Sequence, residues 1–218
     1  MIAAHPRRAG LEVVTHPTPA PITADSTADA DDARATTVID QYSAEHQLIG
    51  SLMWLSADSA RPLLKLVPDN AIWRPLTRWA YELIRHVVGD GGTPTPPAVL
   101  AAARVYPASD ALDPAHTLTA TRHRQLALYL FDAYAQAISP AAAATTYARE
   151  VLDQAYRRTF ETCGVRMQHL ASSGLQCESL NSELTLMREE LADLWVRSQA
   201  AAPQPSAPRD RAATDSVP

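Results

Sequence analysis

Lysine is almost missing from this 218-residue chain: Lys65 is the only one, and the other basic residues are all arginine. A phosphate-binding loop of the Walker A type needs a glycine-rich turn carrying a lysine that reaches the phosphates. Lys65 lies in Leu63-Leu64-Lys65-Leu66-Val67 with no glycine beside it, and the run Gly89-Asp90-Gly91-Gly92 has no lysine after it. Glycine is scarce at 7 residues and aromatics make up 6%. Few glycines with abundant alanine and leucine favour helices over sheets, because Ala and Leu lose little freedom in a helix. Only two cysteines are present, Cys163 and Cys177, with no C-x-x-C pair, so a reducing compartment is the simpler reading. No H-E-x-x-H or G-x-S-x-G motif occurs, and the seven histidines are scattered. Cys163, His169 and Cys177 supply three ligands at most, in no familiar zinc spacing. Neither a metal nor a cofactor is expected. No apolar run has secretory or membrane-spanning length, which makes the cytoplasm the default location.

A formal net charge of −5 argues against a general nucleic-acid binder, which would present a basic footprint. The doublets Arg122/Arg124 and Arg157/Arg158 read as solvated helix surface, since adjacent helical residues point about 100° apart. Trp73, Trp79 and Trp195 lie in or beside apolar stripes and read mainly as core. The acidic Asp29, Asp31 and Asp32 fall in a solvated charge run rather than a chelating cluster.

Proline interrupts both ends. Residues 1–37, with Pro6, Pro17, Pro19 and Pro21, read as a disordered tail, as do residues 200–218. Between them, residues 38–199 form one candidate domain, an all-α bundle of about five to seven helices ending in a long antiparallel αα-hairpin. A first helix is predicted from Val38 to Leu55. A second, capped by Asp58 or Ser59, ends near Val67. A third starts at Pro75 and runs to Val88, stopped by the Gly89–Gly92 run. A short one follows from Pro97 to Val105, then another from Leu118 to Ala137. From Pro140 to Ser173 the pattern is one long helix, with Ser139 as N-cap and Pro140 at N1. Its apolar positions Leu152, Tyr156, Phe160, Cys163, Met167 and Leu170 recur at spacings of three and four. Another helix over Ser179–Gln199 carries Leu180, Leu184, Met187, Leu191 and Leu194 in the same rhythm. Two such stripes across a short break predict a hairpin able to pack on something. They either serve the domain's own core or leave a face for a partner. Candidate interface residues are Leu152, Tyr156, Phe160, Met167, Leu184, Met187, Leu191 and Trp195.

The order of elements resembles the N-terminal domain of DnaB-type replicative helicases. Glu45-His46-Gln47-Leu48-Ile49-Gly50-Ser51-Leu52-Met53 is similar to that domain's opening helix, and Pro68-Asp69-Asn70-Ala71-Ile72-Trp73-Arg74-Pro75 to its acidic turn and aromatic pair. Gly92-Thr93-Pro94-Thr95 resembles its Gly-x-Pro loop, and the stretch from Ser139-Pro140-Ala141 through Tyr147-Ala148-Arg149-Glu150-Val151 its entry into the hairpin. Ile72 and Trp73 stand where Phe-Tyr is usual, Leu76 or Thr77 where a His is common, and Pro96 near a usual Asp. The family's ATPase domain has no counterpart in these residues. The resemblance implies a replication-associated interaction module without its own ATPase, which binds itself, a helicase or a primase and touches DNA only indirectly. Two other classes stay open: a small all-α enzyme with a site inside the bundle, and a DNA-binding regulator.

Overall fold

The structure, a computed structural model, describes Asp40, residues 42–109 and residues 118–202. The expected tails up to residue 37 and beyond 202, the start of the predicted first helix at Val38, and the acidic run Asp29–Asp32 lie outside the described residues. Among the described residues there are seven α-helices, one short 3-10 turn and no strand. They are α1 (Ala44–Trp54), α2 (Ala57–Leu66), the turn Asp69–Ala71, α3 (Pro75–Gly89), α4 (Pro96–Ala102), α5 (Ala120–Ala135), α6 (Pro140–Ser172) and α7 (Cys177–Ala200). The all-α expectation holds. No helix among the described residues is long and apolar enough to cross a membrane.

Local chemistry sets the helix ends. Ser43 accepts the His46 amide at 3.3 Å at the start of α1, and Thr119 accepts the Arg122 amide at 3.2 Å at the start of α5. The cap of α2 is Ser56, which accepts from Ser59 N at 3.3 Å, so the cap stands two to three residues earlier than the sequence suggested. Pro75 and Pro140 open α3 and α6, where a missing N–H costs nothing. Ser139 precedes α6 in a left-handed conformation (φ 47°), and its side chain does not cap the helix. Gly91, at φ 80°, supplies the left-handed residue just beyond α3.

Helix α1 is the axle of the body. Residues Ala44 to Met53 are all buried, whatever their polarity, because α6 packs along one side of the helix and α5 and α3 cover others. Leu48, Ile49 and Leu52 join Trp79, Leu83 and Ile84 of α3, Leu126 and Leu130 of α5, and Val151 and Leu152 of α6 in one core. Gly50 lets α1 approach α5. A Cβ there would overlap the Ala133 carbonyl oxygen and stand 3.0 Å from Ala137 Cβ.

The polar residues of α1 are satisfied from distant parts of the chain. Glu45 accepts the backbone N–H groups of Trp73 (2.8 Å) and Arg74 (3.3 Å). Its carboxylate also lies 3.6 Å from the Arg158 guanidinium of α6, which donates to the Ala71 carbonyl at 2.6 Å. Gln47 donates to the Gln136 carbonyl at 3.2 Å and accepts the Ile138 N–H at 2.9 Å. His46 lies 3.2 Å from the Gln136 side-chain oxygen and sits edge-on to the Tyr129 ring. Arg158 is therefore a half-buried tie between body and α6, not the solvated surface residue the sequence suggested, while Arg157 is exposed.

Candidate protein interface on the helical hairpin

Helices α6 and α7 form the predicted antiparallel hairpin, turning at Gly174 (φ 69°). Its first half belongs to the body, since Ala148, Val151, Leu152 and Ala155 are packed into the core. Its return end is tied back to α2. Arg197 donates to the Lys65 and Leu66 carbonyls at 3.0 and 3.2 Å, a cation on the carbonyl end of a helix. Ser198 bonds Asp153 across the two helices. Ala201, in the stretch expected to be tail, is fully buried. Among the described residues, the distal hairpin packs only its own two helices on each other. A helix rises about 1.5 Å per residue, so the part beyond Arg158 projects roughly 20 Å.

A two-helix ribbon has one internal seam, and here it is narrow. Cys163 and Met187 are buried in it and Arg166 pairs with Glu183 across it, while Leu194 joins the body core. Leu170, Leu180 and Leu191 are half-buried, and four large apolar residues face outward: Phe160 is 63% exposed, Trp195 54%, Met167 46% and Leu184 43%. Val165, Leu186 and Val196 are exposed too. Tyr156, partly buried, links the strip, with ring centroids 6.4 Å from Phe160 and 5.9 Å from Trp195. Beside them Tyr156, Arg188, Leu191 and Trp195 line an open groove of about 660 Å³.

Six of the eight interface residues read from the sequence thus lie on or beside one accessible surface: Tyr156, Phe160, Met167, Leu184, Leu191 and Trp195. Leu152 and Met187 do not. Both are buried by the chain itself and present nothing to a partner. Trp79 is core, donating its indole N–H to the Tyr106 carbonyl at 3.2 Å. Trp73 (65% exposed) and Trp195 are not, against the sequence reading. Val165, Leu186 and Val196 are exposed between the stripe positions, where the three-and-four spacing gives no signal. The two thiols are free, Cys163 buried and Cys177 exposed. Among the described residues no group of three or more His, Cys, Asp or Glu side chains converges as a metal site would.

The described helices make an all-α bundle wrapped round one buried helix and carrying a projecting hairpin. The chain superposes on the crystal structure of the N-terminal domain of DnaB helicase from Mycobacterium tuberculosis, with a TM-score of 0.52 and 21% sequence identity, over 69% of this chain and 95% of that one. That likeness establishes the fold. No family model and no curated protein matches the sequence.

Proposed function

We propose that this chain is a DNA-replication-associated interaction module, without nucleotide hydrolysis of its own, that pairs through the α6–α7 hairpin. A second copy is the first occupant, and a replicative helicase or a primase the further partner. The uncovered apolar strip running through Phe160, Leu184 and Trp195 carries this reading, because a contiguous exposed apolar surface on a soluble chain marks an interaction site. Charge supports self-pairing. Helix α7 carries five acidic side chains against two arginines, whereas α6 carries four arginines against three acids. Arg149, Arg158 and Arg166 already pair within the chain, so exposed Arg157 is the α6 cation that can meet the acidic α7 of another copy. The fold shared with a helicase N-terminal domain supports the replication setting.

Light scattering over a concentration series, with pull-downs against the helicase and primase of the same host, tests the proposal. Self-association that disappears in Phe160→Glu and Leu184→Glu is expected. A wild-type protein that stays monomeric at high concentration and captures neither partner overturns it.

A further inference from the structure

Trp73 is the most conspicuous feature that the hairpin reading leaves unused. It stands 65% exposed in the loop before α3, yet it is held firmly. Its N–H donates to buried Glu45 at 2.8 Å, Ile72 before it is fully buried, and the Arg158 guanidinium lies over the indole, 5.7 Å from the ring centroid. An indole fixed at its backbone and backed by a cation, with most of its surface open to water, is a stacking platform rather than a core residue that failed to pack.

Cations surround it. Arg74 follows directly and pairs with Asp40. Arg78, one turn into α3, spends its Nε on the Ile72 carbonyl at 2.8 Å, and no described acid pairs with it. The acids nearby are largely committed: Glu45 is buried against Arg158 and two amides, and Asp40 holds Arg74. Glu161, one turn along α6, bounds the patch toward the hairpin. The Arg78 guanidinium beside a fixed, cation-backed aromatic face matches the chemistry of a nucleotide chain, with a base on the ring and a phosphate on the arginine.

We infer that the Trp73–Arg78 surface binds single-stranded nucleic acid, one base stacking on Trp73 and a flanking phosphate meeting Arg78. The contact is sequence-tolerant, because every base offers a π-face, and a duplex, whose bases are already stacked, does not compete well. This surface is separate from the hairpin strip, so the inference stands whether or not the chain pairs with itself.

Fluorescence anisotropy with a labelled oligothymidylate, single-stranded and then annealed to its complement, tests it on the full chain at low and at physiological salt. The expected result is preferential single-strand binding that weakens as salt rises. It should fall at least about tenfold in Trp73→Ala, largely survive in Trp73→Phe, and be lost in Arg78→Glu, with unchanged circular dichroism. It should also persist in Leu184→Glu. Absence of binding at low salt overturns the inference. So does a Trp73→Ala protein that binds like the wild type, or one that loses a protein contact while no oligonucleotide binds the parent.

Discussion

Glu45 and Arg158 face each other 3.6 Å apart across the junction of α1 and α6, one from the first turn of the buried helix and the other from mid-hairpin. The carboxylate also collects two backbone N–H groups from the loop that leads into α3, so a single buried anion holds three elements in register. Removing one partner of a buried, hydrogen-bonded charge costs about 3 kcal/mol. Glu45→Gln is expected to lower stability by about that much, since an amide oxygen cannot replace a carboxylate for all three donors. Arg158→Met leaves the two backbone donors in place and should cost less. Urea denaturation of both variants and the double mutant checks the order. A Glu45→Gln midpoint equal to wild type would remove the anion from its central role.

The same substitution should have opposite signs at two helical glycines. At Gly50 an added methyl meets the backbone carbonyl of Ala133, which cannot rotate away, and overpacking of this kind costs about 3 kcal/mol. At Gly164, on α6, an added Cβ meets nothing within 4 Å, so Gly→Ala should stabilise by about 0.5–1 kcal/mol through helix propensity. Thermal melts of the two single variants decide it.

His46 gives the fold a pH dependence. Burial between α1 and α5 disfavours its charged form and holds its pKa below the ordinary histidine value, against the opposing pull of the Gln136 side chain and Asp132. In the unfolded chain the imidazole takes up a proton near pH 6.5. In the folded chain it does so only at lower pH. Its contribution is therefore fully present above about pH 6.5 and is lost as pH falls through the depressed folded value. Unfolding midpoints measured from pH 7.5 to 5 should decline, and His46→Gln should flatten that slope. An unchanged slope in the variant would assign the decline to other groups.

Leu152 and Phe160 lie two turns apart on α6 and should separate folding from pairing. Leu152 is fully buried, so Leu152→Ala should cost about 2–5 kcal/mol of monomer stability. Phe160 is 63% exposed, so Phe160→Ala should leave that stability within about 0.5 kcal/mol while weakening self-association. Equal losses of stability would mean that the outer strip is covered by the chain itself.

Helix positions were legible because proline and glycine punctuate them: Pro75 and Pro140 open helices where a missing N–H is free, and Gly174 closes one. The hairpin was legible from its three-and-four spacing. The same spacing could not show how much of each stripe is buried, because a ribbon of two helices hides only the narrow line through Cys163 and Met187. Trp73 and Trp79 look alike in sequence, and only the fold turns one outward and the other inward. Least legible was α1. Buried Glu45 and Gln47 resemble surface residues until their partners, 28 to 91 positions away, come into place.

The clasp of Arg197 on the end of α2 gives the hairpin two footings on the body rather than one. A push or pull applied at the tip near Gly174 is consequently shared between the α1 core and the α2 terminus. The projecting pair of helices behaves as a braced strut, able to set the orientation of whatever it carries instead of tethering it loosely.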